Sequence, residues 1–268
     1  MGRMYKTTAV WHNFKLSDFP TMALGGRLDH PSRAHFYSWL AQQARQSAPI
    51  LTWCDVGVLS LVDYLNVRRR FDPRLSAKIE YIGLEVGESI AEVAGRHLLR
   101  PGDRILIGDL DDPHLSASIP DRFDVMSLRH VLNHCRYYEV PLQNAFGLLN
   151  PAGKVFVNLH VKCSADHDIL QERSLPDVAG LYLENVYEFR KFLRYFSSLF
   201  SVESILEIDS RLDGRNKPNQ IFIGVKPGYP RRAQPEVIMF APSRPRQLIR
   251  SLKSALMRTR KVDVKSVT

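Results

Sequence analysis

The stretch "WCDVGVLSLVDYL", residues 53–65, decides the fold. Trp53, Cys54 and Val56 continue an apolar run that starts in "APILTWCDVG", and a short run of this kind ended by glycine reads as a strand buried on both faces. Val62 and Leu65 then open a helical spacing at once. A strand, a tight turn and a helix in so few residues leave helix N–H groups and an approachable backbone at the C-terminal end of a strand, the edge where open α/β sheets bind ligands. Asp55 and Gly57 are therefore the first candidate binding residues, with Val58 beside them. Ser60 followed by Asp63 matches a loose capping signal for the helix.

Outward from this stretch the pattern repeats. "AKIEYIGLEV", "DRILIGDL", "RFDVMSLRHV" and "GKVFVNLHV" are further short runs rich in Val, Ile and Leu. Helical spacings separate them, at Ile90, Val93, Ala94 and His97, and from Pro141 through Leu142, Ala145, Phe146 and Leu149. Strands alternating with helices predict a parallel α/β sheet. After residue 180 the rhythm changes. "ENVYEFRKFLRYFSSLF" puts Val186, Phe189, Phe192, Leu193, Phe196 and Phe200 on one stripe of a core helix, with Asn185 and Glu188 available as N-caps. "FSVESILEI" and "NQIFIGVKP" follow, joined by a loop with Asp213-Gly214 and Pro218, so a hairpin with an antiparallel last strand closes the sheet.

The 268 residues, 44% of them apolar, suffice for one large domain with appendages. Three scattered cysteines, Cys54, Cys135 and Cys163, suggest neither a disulfide framework nor a thiolate metal site. "MGRMYKTTAVWHNF" lacks the apolar core of a signal peptide, and Lys6 stands where a myristoylation signal wants Ser or Thr; the expected setting is the reducing cytoplasm. Of the net charge of +9, residues 228–268 supply +8, from ten Lys and Arg against Glu236 and Asp263, which leaves +1 on the rest. A nearly neutral body argues against a phosphate-binding catalytic face and against a nucleic-acid substrate. The expected division is an N-terminal helical cap over 1–49, an α/β domain over 50–227 and a basic extension over 228–268.

Two more strand ends carry acids. "YIGLEVGES" places Glu85, followed by Val86, where a carboxylate accepts from the two hydroxyls of a ribose, and "LIGDLDDP" places Asp109 where it accepts from an adenine amino group while Leu110 covers the ring. Asp111 and Asp112 solvate the loop or, as a cluster, recruit a cation.

With Asp55-x-Gly57, Glu85 and Asp109 in order, the chain from about residue 50 to 227 resembles the class I S-adenosylmethionine-dependent methyltransferases. "CDVGVLSL" is similar to their acidic-glycine first motif, "YIGLEVGESIAEVA" to their ribose-binding segment and "ILIGDL" to their adenine-binding segment. "FDVMSLRHVLNHCRYYEVPLQNAFGLLNPAGKVFVNLHV" resembles their fourth strand, helix and turn into the fifth strand. The resemblance implies a seven-stranded, mostly parallel sheet with helices on both faces and a terminal antiparallel hairpin. It implies S-adenosylmethionine as cofactor, held by Asp55, Gly57, Val58, Glu85, Val86, Asp109 and Leu110. Leu59 and Leu61 stand where the family's first motif has its later glycines, and a Cβ at residue 59 crowds the methionyl part of the cofactor or sends the turn along another path.

Methyl transfer is an in-line displacement, so alignment and water exclusion dominate, and a hydroxyl acceptor also wants a base. His130 and His160, just past strands at the ligand edge, are the candidates, although a histidine near a strand end is more often a packing or hydrogen-bonding residue. His130 and His134 have the i, i+4 spacing of a helical metal pair but lack a third ligand, so no metal is expected. Arg129 is a candidate for the cofactor carboxylate or a solvated residue. Tyr137 and Tyr138 either stack on an acceptor or cover the core. His30, Arg33, His35 and Tyr37, in and before the N-terminal helix, are acceptor contacts or surface packing.

In the extension, Leu248, Leu252, Ala255 and Leu256 interleave with Arg246, Arg250, Lys253 and Arg258. That pattern forms a basic amphipathic helix for an anionic membrane surface, an RNA- or protein-binding element, or a solvated tail. The leading expectation is O-methylation of a small molecule or glycan-type metabolite. The alternatives are a methyltransferase-like scaffold without turnover, an RNA methyltransferase and, from another class, a nicotinamide-dependent oxidoreductase.

Overall fold

The computed structural model describes residues 31–47, 49–58, 61–87, 100–162, 168, 172–175, 178–208, 219–228 and 238–240. The residues before 31, Leu59 and Ser60, the helical spacing over 90–97, the hairpin loop over 209–218 and the amphipathic pattern over 246–258 lie outside them.

Helix α1 (Pro31–Gln46) leads into β1 (Leu51–Val56), α2 (Val62–Arg70), the short α3 (Pro73–Ala77), β2 (Ile79–Glu85) and β3 (Arg104–Ile107). A four-residue α4 (Leu115–Ser118) precedes β4 (Phe123–Arg129), one 3₁₀ turn (Leu132–His134), α5 (Glu139–Leu148) and β5 (Leu149–Lys162). The chain continues through β6 (Glu172–Leu175), β7 (Val178–Leu183), β8 (Tyr187–Glu188), α6 (Phe189–Leu199), β9 (Ser201–Ile208), β10 (Asn219–Val225) and β11 (Ile238–Phe240).

The main sheet runs β11-β9-β10-β5-β4-β1-β2-β3, with β8 beside the end of β5. β1 pairs parallel with β2 and β4, and β4 with β5. β10 is antiparallel to both its neighbours, β5 and β9, so the expected terminal hairpin is present. A seven-strand core, β3-β2-β1-β4-β5-β10-β9, is thus extended at one edge by β11, whose residues belong to the basic extension. β6 and β7 form a separate antiparallel pair that the sequence pattern did not announce.

Alternation along each strand divides the core into two layers. Cys54 and Val56 of β1, Ile82 and Leu84 of β2, Met126 and Leu128 of β4, and Val155 and Val157 of β5 pack with α5 and α6. Trp53, Tyr81, Val125, Phe156 and Ile221 face the other way, toward α1 and α2. The phenylalanine stripe of α6 is core, as its spacing predicts: Phe192 meets Phe222 at 4.8 Å between ring centroids, and Phe196 lies so close to β10 that a Cβ on Gly224 would come within 2.7 Å of its ring. Glu188 caps this helix, its carboxylate accepting from the N–H of Arg190 at 2.8 Å and from that of Lys191.

Two boundaries differ from the sequence reading. Leu149 is extended and opens β5 instead of ending α5, because it pairs with Phe123 of β4. β3 stops at Ile107, so Gly108, Asp109 and Leu110 form the turn after the strand. Among the described residues no helix is long and apolar enough to cross a membrane.

Phe192 is fully buried among aromatic rings. Phe192→Ala should lower unfolding free energy by about 3–5 kcal/mol in urea titrations, the usual cost of an aromatic deleted from a core. A loss below about 1 kcal/mol would contradict this packing.

Candidate functional site

β1 delivers Asp55 to the α1/α2 face of the sheet, two residues beyond Trp53. Directly across on β4 is Ser127, which takes the indole N–H of Trp53 at 2.9 Å and gives its own proton to Asp55 Oδ1 at 2.6 Å. Burial pushes the Asp55 carboxyl up to about 8; nearby Asp63 and Glu85 add to the rise, while Ser127 and Arg129 oppose it.

Beyond Asp55 the chain turns sharply. Gly57 has φ +68° and donates its N–H to Leu84 O at 2.9 Å, and a Cβ there would sit 2.9 Å from the Val131 side chain. Val58 is buried, and its carbonyl accepts from Leu61 N–H at 2.7 Å. Leu61 is the N-cap of α2, with φ 52° and ψ 23° and no side-chain cap bond. A leucine thus adopts a left-handed conformation that glycine takes without penalty, at roughly 1–2 kcal/mol of strain, while its side chain is buried in the layer shared with α1.

Asp63 is not a cap residue. Its carboxylate ion-pairs with Arg129, accepts from the Tyr37 hydroxyl at 2.6 Å and lies 3.9 Å from the Arg33 guanidinium. α1, α2 and β4 therefore meet at one charge cluster. Burial, reinforced by Asp63, raises the Tyr37 phenol above its usual range, so it stays a donor. The Arg129 guanidinium also stands over the Phe36 ring at 5.4 Å.

The other strand ends adjoin. Glu85 is buried, and its Oε1 accepts from Val86 N–H at 2.9 Å and Gly87 N–H at 3.4 Å. Gly108 N–H reaches Glu85 O at 3.0 Å, which brings Asp109 alongside; Asp109 Oδ1 accepts from Asp111 N–H at 2.9 Å. Leu110 is buried and packs in the layer that contains Leu115, and its carbonyl accepts from Asn144 Nδ2 at 2.9 Å. The Asp111 carboxyl is pushed up to about 7 by burial and by Asp109, with Cys135 acting against the rise.

His130 follows β4 in a left-handed conformation, φ 59°, with its N–H on Asn158 O at 2.7 Å. Its ring lies 5.2 Å from that of His160 on β5, so the two candidate bases form one pair. The helical His130–His134 face is not formed, because residue 130 lies in this turn and only Leu132–His134 coil, as 3₁₀. Tyr138 is core, edge-on to Tyr187 at 5.0 Å, whereas Tyr137 is exposed.

Three groups escaped the sequence reading. Ser127 and Asn158 sit in the middle of apolar strands, a signal that was there to be taken. Asn133, fully buried, accepts His160 N–H on Oδ1 at 3.2 Å and bonds Asn185 through Nδ2, fixing the loop behind the histidines. On β5, Asn158 Nδ2 donates to Gln220 O at 3.1 Å and to Asn219 Oδ1, while Asn158 Oδ1 and Asn219 Nδ2 are buried with no hydrogen-bond partner. Each such orphan costs roughly 1–3 kcal/mol.

Two variants test the turn and the buried acid. Leu61→Gly should be more stable than Leu61→Ala by about 1 kcal/mol in urea titrations, since both lose the packed side chain and only glycine relieves the left-handed strain; the reverse order would contradict the assigned backbone. The folded chain holds the Asp55 proton to higher pH than the unfolded chain does. Its stabilising contribution is therefore complete below the ordinary aspartate range and is lost as pH rises through about 8. Wild type should lose more melting temperature than Asp55→Asn between about pH 5 and pH 8.5; equal losses would refute the raised carboxyl.

No family model matches the sequence, and no curated protein sequence does. Solved structures do resemble the fold. The 1,6-didemethyltoxoflavin-N1-methyltransferase of Burkholderia thailandensis, solved with bound 1,6-didemethyltoxoflavin and S-adenosylhomocysteine, matches with a TM-score of 0.56 at 14% identity over 85% of this chain and 92% of that one. The N-methyltransferase NodS of Bradyrhizobium japonicum, solved with S-adenosylhomocysteine, matches with a TM-score of 0.52 at 11% identity over 83% and 98%. The [4+2]-cyclase SpnF matches with a TM-score of 0.51 at 14% identity over 73% and 81%. Together with the strand order and the antiparallel β10, these likenesses establish that the chain has the class I methyltransferase fold.

Proposed function

We propose that this chain is an S-adenosylmethionine-dependent methyltransferase that modifies a hydroxyl of a small molecule or glycan-type metabolite. The observation that carries the reading is the convergence of Asp55, Glu85 and Asp109 on adjacent strand ends at one rim, around the Gly57 turn. The donor set fits the cofactor: carboxylates suit the ribose hydroxyls, the adenine amino group and a cationic centre, and a buried, protonated Asp55 is relieved when positive charge arrives beside it.

Glu85 with Val86 would hold the ribose, Asp109 with Leu110 the adenine, and Asp55, Gly57, Val58 and Arg129 the methionyl end. The cofactor supplies an activated methyl group on a sulfonium centre. The chain's residues do the rest. The buried layer beneath α1 keeps water from the rim, Asp63 fixes the Arg129 guanidinium, and the His130–His160 pair takes the acceptor's proton.

A scaffold without turnover is the second reading, and one observation favours it: Arg129 is already paired with Asp63, and Glu85 already accepts from its own loop. The left-handed Leu61 speaks against it, since the entry into α2 keeps a left-handed backbone without a glycine at that position. The fold alone does not choose the reaction, because a cyclase shares it. The basic extension over 228–268 is proposed as a peripheral contact with anionic membrane.

Isothermal titration should give saturable S-adenosylhomocysteine binding, weakened about tenfold or more by Glu85→Ala, because hydrogen bonds to a charged group contribute about 1.5–3 kcal/mol. Absence of binding at millimolar ligand would leave the scaffold reading; unchanged affinity in Glu85→Ala would remove Glu85 from the site.

A further inference from the structure

On the α1/α2 face the rim changes character from one side to the other. Its β2–β1 side carries the acids Glu85, Asp55 and, from α2, Asp63. Its β5–β10 side carries two carboxamides and an imidazole, Asn158, Asn219 and His160, and no acid among these. Register fixes these positions: Asn158 is the direct partner of Arg129, whose guanidinium reaches Phe36 of α1, and lies two residues beyond Phe156, which packs on the same helix. Asn219 is the direct partner of His160 and lies two residues before Ile221 of the same layer.

The orientation of both carboxamides is determined. A backbone carbonyl only accepts, so the Asn158 atom facing Gln220 O is nitrogen. That nitrogen also faces Asn219, whose atom there must then be oxygen. One acceptor, Asn158 Oδ1, and one donor, Asn219 Nδ2, are left over on adjacent strands, in side chains buried to 99% or more. Buried polar atoms of this kind are rare in native proteins, and each calls for a reason. A mere link between β5 and β10 would be better made by apolar side chains, which leave nothing unpaired.

We propose that Asn158 and Asn219 recognise the methyl acceptor, and that the acceptor presents to them an uncharged group with one hydrogen-bond donor and one acceptor, a hydroxyl or a cyclic amide. The role as acceptor site rests on the methyltransferase reading; the ligand chemistry rests on the two carboxamides alone. A carboxylate ligand would leave Asn158 Oδ1 facing another acceptor, and an ammonium would leave Asn219 Nδ2 facing another donor.

The test is saturation-transfer NMR on the full chain with saturating S-adenosylhomocysteine, using 2-pyridone, which carries a neighbouring N–H and C=O, and benzoate as the charged control. Saturable transfer to 2-pyridone is expected, with none to benzoate. Affinity for 2-pyridone should fall about tenfold or more in the double variant Asn158→Leu/Asn219→Leu and in Asn219→Asp, which keeps the link to Asn158 but replaces the spare donor with an acceptor. The double variant should melt at or above the wild-type temperature. Failure of 2-pyridone to bind, equal binding by wild type and Asn219→Asp, or equal binding of benzoate would overturn the proposal. So would a double variant that is destabilised while 2-pyridone still binds Asn219→Asp as it binds wild type, which is the pattern of a purely structural link. S-adenosylhomocysteine titrated separately into the ligand-free chain separates the two claims: its binding together with failure of 2-pyridone defeats only this inference, and binding of 2-pyridone by a chain that does not bind S-adenosylhomocysteine defeats only the methyltransferase role.

Discussion

The reversal from β1 into α2 constrains everything around it. Between Asp55 and Asp63 the backbone must leave a buried strand and enter a helix, and among the described residues 57 and 61 are left-handed. Gly57 meets this demand without strain. Leu61 meets it against its own preference, and it persists because its side chain is buried beneath α1. Strain and burial are thus set against each other in one residue, and the outcome places Asp63 where Arg129 and Tyr37 can reach it.

From that point the polar groups form a graded sequence. Asp63 ties together α1, α2 and β4; a half-buried ion pair of this kind holds geometry more than it adds stability, since its partial desolvation offsets much of the attraction. Asp55 sits nearby with a serine and an indole behind it, and holds its proton until pH approaches 8. Farther along the rim the charges give way to imidazoles and carboxamides. The layer of Phe36, Trp39, Trp53 and Phe156 underlies the α1 side of this arrangement and supplies its rigidity.

Much of this was readable in the residues. Apolar runs ending in Asp55-x-Gly57, Glu85 and Asp109 marked the strands and their order of use, and the phenylalanine spacing marked α6, because burial on both faces or on one stripe writes itself into hydropathy. What stayed hidden depends on distance along the chain. Asn158 and Asn219 are 61 residues apart and meet only through antiparallel pairing. Asp63 read as a capping residue, since nothing local reveals a partner 66 residues away. Leu61 hid the turn, because a leucine carries no sign that its backbone takes a glycine's conformation. Leu149 satisfied the helical spacing and was still claimed by β4, a case of strand pairing overriding local pattern.

The most direct test of the central claim is a crystal structure of the full chain grown with saturating S-adenosylhomocysteine. The account predicts continuous density along the C-terminal rim, with the ribose at Glu85, the adenine at Asp109 and the amino-acid end over Gly57. Ligand bound at another edge of the sheet, or a rim without ligand at saturation, would contradict it.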